Sequence, residues 1–162
     1  MTHITLEIDA QRTQATLHGL SGRLGDLTPL MIDIGELLVE STKQRFQDGI
    51  SPAGIPWPEN SPLTLSRKKG TRPLIGETHQ LSNGIASAPT ANSVTISSGM
   101  IYARTQQLGA LQGAFGRDTR NHPIPWGDIP ARPFIGLSDK DGENILDTVQ
   151  EYLNLTPDGG TP

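Results

Sequence analysis

Residues 28–49 read TPLMIDIGELLVESTKQRFQDG. Thr28 can cap a helix, Pro29 suits its first position, and Leu30, Met31, Ile34, Leu37, Leu38 and Phe46 fall on one broad face at the 3.6-residue period. Asp33, Glu36, Glu40, Lys43 and Gln47 fall on the opposite face, as a solvated surface. Asp48-Gly49 stops the helix. Pro29 is the only proline before residue 50 and the other twelve of the thirteen come after it, so regular structure is expected early in the chain and loops later.

Upstream of this helix, residues 3–9 alternate Ile4, Leu6 and Ile8 with polar residues, the period-two pattern of a strand with one buried face. Leu17, Leu20, Leu24 and Leu27 follow helical spacing, against Gly19, Gly22 and Gly25, which each cost about 1 kcal/mol relative to alanine in a helix interior. Downstream, Pro52, Pro56, Pro58, Pro62 and Pro73 exclude a long helix or a central strand from 49–77. Trp57 argues that part of this loop is pinned down. The pattern then predicts a short helix over 78–88 with Leu81 and Ile85 inward, followed by a strand over 93–97 with Val94 and Ile96 inward. Ser98-Gly99 is read as a turn into a second strand at 100–103, the two runs forming a hairpin. Residues 107–128 lack periodicity and hold Gly109, Gly113, Gly116, Pro123 and Pro125, which marks a second long loop with Arg117 and Arg120 in its middle. Residues 129–137 are apolar and extended, and Pro130 and Pro133 confine them to an edge or a segment outside any ladder. Ser138 and Asp139 cap a final helix with the stripe Ile145, Leu146, Val149, Tyr152 and Leu153. The expected fold is α+β, a small antiparallel sheet flanked by the helices at 28–48 and 138–155, with long Pro/Gly-rich loops. One domain is expected over 1–155, with a flexible C-terminal tail at 156–162.

Composition limits the chemistry. The 162 residues include 18 glycines, 13 prolines and only seven large aromatic rings, with 34% hydrophobic residues, so the core is small. No stretch approaches the roughly 20 apolar residues of a membrane span, and the N-terminus has neither a basic start nor a signal-type apolar run, which predicts a soluble, unexported chain with no membrane partner. There is no cysteine, hence no disulfide and no thiolate zinc site, in keeping with a reducing cytoplasm. The net charge of −4 argues against a general nucleic-acid binder. The charge is uneven, however: from Ser138 onward six acids accompany only Lys140.

A catalytic constellation is not apparent. His3, His18, His79 and His122 stand alone, without the spacing that places two rings on one metal. Asp139-Lys140-Asp141-Gly142 begins like a calcium loop, but its glycine comes at the fourth position and the twelfth residue is Gln150 where a bidentate Glu is needed. Acids in a first helical turn explain these residues as capping. Nucleophile elbow, Walker loop and dinucleotide fingerprint are all missing, so neither a catalytic residue, a metal nor a cofactor is assigned. Arg67-Lys68-Lys69 with Arg72 is the one patch suited to phosphate or to an acidic partner.

The order Leu27-Thr28-Pro29-Leu30-Met31, Ile34-Gly35, Arg45-Phe46, Gly49, Pro52-Ala53-Gly54 and Trp57, then Tyr102-Ala103 with Gln107 and Gly109, and above all the run IPARPFIGLS at 129–138, resembles the phage virion morphogenesis family, the tail-completion proteins of Mu-like and P2-like tailed bacteriophages. The resemblance covers about residues 4–155. It departs from the family at Thr78-His79-Gln80-Leu81, where the family often has Thr-Gly-x-Leu, so that a glycine able to take φ > 0 is missing there. It departs again at Gln106-Gln107, where the family usually has His-Gln, and the spacing from Pro52 to Trp57 looks one residue longer.

The resemblance implies a structural protein of the virion, made in the host cytoplasm. It would act late in assembly at the tail-head junction, so that tail and filled head can join. It implies a closed ring of copies, with the sixfold symmetry of a tail tube as the candidate, and the tail tube or tail terminator and the neck or connector proteins as partners. Within that frame the loops at 61–76 and 107–128 are expected to reach neighbouring copies or the adjoining protein, with Trp57, Arg117, Arg120, Trp126, Arg132 and Phe134 as interface residues. The alternatives to an interface are core packing for Phe134 and, for Arg132, the holding of loop carbonyls within its own chain. An alternative function is a neck adaptor whose basic loop, Arg67, Lys68, Lys69 and Arg72, makes weak contact with the genomic DNA path. A hydrolase assembled from scattered loop residues is the third.

Overall fold

A computed structural model describes residue 22 and residues 24–154. The strand expected at 3–9, most of the helix expected over 17–27, and the tail at 156–162 lie outside the described residues. Helix α1 (Thr28–Asp48) is the spine. Leu27 rather than Thr28 occupies its cap position. The Thr28 N–H donates instead to Asp26 Oδ1 at 2.9 Å, so Asp26 supplies the oxygen that the sequence reading assigned to Thr28. The helix stops at Gly49, whose N–H returns to the Arg45 carbonyl at 2.7 Å.

Leu30, Ile34, Leu38, Thr42, Arg45 and Phe46 are buried along α1, the expected face with two polar residues set into it. The face serves two apolar clusters. Leu30, Ile34 and Leu38 pack with Val94, Ile96, Ile145, Val149 and Tyr152, whereas Phe46 packs with Trp57, Leu81, Ile85, Ala103 and Phe134. Ile96 touches both.

After α1, residues 49–57 fold back on themselves. Ile50 bridges Pro56, and the Trp57 N–H reaches the Gly49 carbonyl at 2.9 Å. This returns the Trp57 ring to α1, where it meets Phe46 edge-on with centroids 5.4 Å apart. Helix α2 (Pro62–Arg67) follows, capped by Ser61 and without a buried residue.

The hairpin differs from expectation. The helix expected over 78–88 is confined to α3 (Gln80–Asn83), and the chain then enters β1 (Ile85–Pro89), antiparallel to β2 (Val94–Ser98) with Ile85 opposite Ser98 and Pro89 opposite Val94. Leu81 and Ile85 both enter the core, but from different elements. Their four-residue spacing spans a helix end and a strand start as well as it spans one helical turn. Thr90 closes the loop by donating its N–H to the Ser93 carbonyl at 2.7 Å. Pro89 is tolerated because it ends the ladder. Residues 100–103, expected as the second strand, are instead the turn into helix α4 (Ala103–Leu108). Val94 and Ile96 do face inward, each half-buried against α1.

Gly35 makes this packing close. A Cβ there would lie 3.0 Å from both Ser87 Cβ and Val94 Cγ2, so α1 crosses the hairpin with backbone nearly against side chain. Helix α5 (Asp139–Asn154) covers α1 beyond the hairpin. Its half-buried residues Ile145, Val149 and Tyr152 meet the first cluster, while Leu146 and Leu153 of the expected stripe face solvent. The architecture is a small α+β fold in which the sheet, among the described residues, has two antiparallel strands.

Candidate functional site

Residues 129–137 run extended, and beyond the bridge from Ile129 to Ala110 no strand among the described residues lies beside them. Two prolines remove donors, yet the remaining backbone groups need partners. Side chains supply most of them. Gln107 Oε1 accepts from the N–H of Phe134 (2.9 Å) and of Ile135 (3.1 Å), and its Nε2 donates to the Ile135 carbonyl (2.9 Å). Trp57 Nε1 donates to the Pro133 carbonyl at 2.7 Å, and Arg45 NH1 to the carbonyls of Phe134 (3.0 Å) and Gly136 (2.8 Å). Gly109 lets the chain pass closely: at φ 74° it adopts a backbone that side chains rarely accept, and a Cβ would lie 2.7 Å from the Ile129 carbonyl.

The guanidinium of Arg45 also pairs with Asp141, both side chains being buried. Asp141 is the third residue of α5 and accepts from the Ser138 N–H and Oγ, each at 2.8 Å, while its own N–H donates to Ser138 Oγ at 3.1 Å, a reciprocal cap. Ser41 Oγ donates to the same carboxylate. Burial pushes the Asp141 carboxyl up, but the hydrogen bonds from Ser41 and Ser138 and the Arg45 charge outweigh it and hold the group below the usual carboxylate range. The acids that begin like a calcium loop are therefore a helix cap tied to α1.

Three of the six residues expected at an interface lie inside this framework. Phe134 is 1% exposed and packs against Phe46 with the rings tilted by 50° and centroids 5.3 Å apart. Trp57 is buried beside it. Arg132 is buried and donates from Nε to the Pro58 carbonyl (2.8 Å) and from NH2 to the Glu59 carbonyl (2.7 Å), fastening the start of the 58–77 loop. Burial lowers its pKa from the usual arginine value.

The other three lie together on an outward arm, residues 108–128. Its two legs are joined from Ala110 and Ile129 (2.7 and 2.9 Å) through Gly113 N–H to the Pro125 carbonyl (3.0 Å), and Phe115 N–H to the Ile124 carbonyl (2.7 Å), to a bridge between Arg117 and Pro123. At the tip Asp118 Oδ1 accepts from the N–H of Arg120 and of His122, both at 2.8 Å; the His122 N–H above all, with the His122 ring on Oδ2 and the Arg120 N–H, holds its carboxyl below the usual range against the opposing effect of burial. Arg117 reaches only the Asn121 carbonyl (2.8 Å) and stays exposed, as does Arg120. Trp126 is 69% exposed, its ring 5.4 Å from that of His122. Leu108, Leu111 and Phe115 are also more than half exposed, and Ile124 is 37% exposed.

The sequence reading missed these partners of Trp126. Phe115 was the available signal, a large ring in a stretch with no periodicity to bury it. It missed Arg45 and Asp141 as a pair as well, although an arginine set into the buried stripe of α1 needs an acid.

The basic residues occupy the turn after α2. Lys68 points its ammonium at the Arg72 carbonyl, and its pKa is lowered by burial and then by the charge of Arg132. Lys69 lies 3.5 Å from Glu77, and Arg67 and Arg72 are exposed. Among the described residues no group of three or more His, Asp or Glu could hold a metal ion, and no helix is long and apolar enough to cross a membrane.

The described residues thus form a fastened framework that carries an apolar, arginine-tipped arm. The sequence pattern of the phage virion morphogenesis family matches residues 8–154, and the chain belongs to that family. Among curated proteins it is similar to the Mu-like prophage FluMu G protein 2 of Haemophilus influenzae (strain Rd), 31% identical over 153 residues that cover 94% of this chain and 97% of the relative. No solved structure matches it.

Proposed function

We propose that the chain is a subunit of a closed ring at the head-proximal end of the phage tail, where it completes the tail so that a filled head can join. The observation that carries this reading is the arm. Five large apolar side chains sit on a hairpin whose backbone bonds are internal, which gains nothing for a solitary protein and gives an assembly subunit a surface to bury. The family supplies the setting, virion morphogenesis. Trp57, Arg132 and Phe134 serve the surface from beneath by fixing the segments from which it rises.

The decisive experiment is complementation of a phage lacking this gene. Separate filled heads and full-length tails in the deletion, restored to whole particles by the wild-type protein, are the expected result. Absent tails or empty heads would overturn the placement. A second reading, in which the basic turn touches the DNA path, draws on the clustering of Arg67, Lys68, Lys69 and Arg72 beside Arg132. It requires DNA affinity that falls steeply with salt.

A further inference from the structure

Among the described residues, the arm and the outer face of α5 are two unpartnered surfaces of opposite character. On the arm, Leu108, Leu111, Phe115, Ile124 and Trp126 belong to neither core cluster. The two acids of the arm are turned onto its own backbone, Asp118 at the tip and Asp128 on the Gln112 N–H at 2.8 Å, which leaves Arg117 and Arg120 as its outward charges. On α5, Leu146 and Leu153 stand seven residues apart and so on one face, 63% and 40% exposed, outside both clusters. Exposed Glu143 lies one turn before Leu146 on the same side of the helix, with Asp147 on the adjoining face and Glu151 further round, and among the described residues none of these acids is in an ion pair. The last turn of α5 has no basic residue, so Glu151 sits at the negative end of the helix dipole with no cation from that turn beside it.

We propose that the arm of one copy docks on the outer face of α5 of the next copy, its apolar row on Leu146 and Leu153 and its arginines toward Glu143 and Asp147 on the adjoining side. This deepens the ring reading above and rests on it. The contact joins two different patches, so it repeats head to tail, and a rotation that closes produces a ring. With about 150–250 Å² on each large aromatic ring, the exposed side chains of the arm offer on the order of 500 Å² of apolar surface. With a polar rim this approaches the roughly 800 Å² per partner of a stable interface.

Sedimentation of the purified full chain tests the contact. Trp126→Asp on the arm and Leu146→Asp on the helix each weaken self-association at least tenfold. Mixed in equal amounts, the two variants form a one-to-one dimer through the single intact arm and helix face. A charge swap provides a second test: Arg120→Glu and Glu143→Arg each weaken the oligomer, and the double variant restores it. A wild-type protein that stays monomeric, single variants that assemble like wild type, or a mixture that stays monomeric overturns the proposal. Complementation separates the two readings. Variants that assemble normally yet fail to join heads to tails overturn the arm-on-helix contact and leave the function standing. Variants that lose the oligomer yet still produce whole particles leave the contact standing and overturn the ring at the junction.

Discussion

Asp141→Asn leaves the shape of the α5 cap nearly intact and removes one charge. Arg45, 5% exposed, is then a buried cation with neutral acceptors alone, the carbonyls of Phe134 and Gly136, Ser41 Oγ and the new amide oxygen. Breaking one side of a buried ion pair costs about 3–5 kcal/mol, a large part of the roughly 5–15 kcal/mol that holds a domain folded. In a chain of this size each kcal/mol moves the melting temperature by about 2–4 °C, so a fall of roughly 6–20 °C follows in a thermal melt followed by circular dichroism. In Arg45→Met with Asp141→Leu the charge penalty disappears, but Ser138 N–H and the two carbonyls lose their partners. The double variant should therefore lie between wild type and the sum of the losses measured for Arg45→Met and Asp141→Leu alone, with a coupling of about 2 kcal/mol or more. Acid provides an independent check. Because the folded Asp141 carboxyl titrates below its unfolded value of about 3.9, its contribution is full above that pH and is lost as pH falls through the folded pKa. Wild type should lose stability more steeply than Asp141→Asn in that window. A melting point within 2 °C of wild type, or an additive double-mutant cycle, would refute the reasoning.

Gln107→Leu leaves the N–H groups of Phe134 and Ile135 and one carbonyl unpaired and should cost about 2–4 kcal/mol in urea unfolding; Gln107→Glu, which still accepts but cannot donate to the Ile135 carbonyl, should cost less than the leucine variant. His79 caps α3 at φ 52°, a left-handed backbone that costs a residue with a Cβ about 1–2 kcal/mol, so His79→Gly should raise stability by about 0.5–1 kcal/mol; a loss would show that the side chain matters more than the backbone. If the basic turn meets DNA, affinity measured by anisotropy should fall by orders of magnitude between 50 and 200 mM salt in proportion to the phosphates engaged, and Arg67→Ala with Arg72→Ala should flatten that slope.

The two long helices were legible because each carries an apolar stripe with the helical period between recognisable ends. The pairing of the hairpin was not. Val94 and Ile96 announce a strand, but Ile85, Ser87 and Pro89 have no alternating apolar pattern, since β1 is short and buries only Ile85 fully. The framework around 129–137 was recognisable by resemblance and opaque in mechanism. Nothing in the spacing of Arg45, Trp57 and Gln107 announces that three side chains from distant segments take the place of a neighbouring strand. Arg132 shows the same limit: its residue type suits an interface or a loop clamp equally, and only its two carbonyl partners show what it holds. The arm had the opposite fault, since its glycines and prolines read as absence of structure, whereas they are the residues its tight reversals require.

If the arm docks between copies as proposed, its internal bonding governs how fast and how tightly they meet. Its shape is set by bonds within one chain, so docking does not have to order a loop as well as bury it, and the conformational entropy that usually opposes association has already been lost on folding. Such a surface should engage as a rigid body, with a rate governed by encounter and by the arginines at its tip rather than by a folding step. Loosening it from within, for example by removing the bond from Gln112 Nε2 to the Trp126 carbonyl (2.8 Å), should weaken assembly without changing any residue that touches a partner.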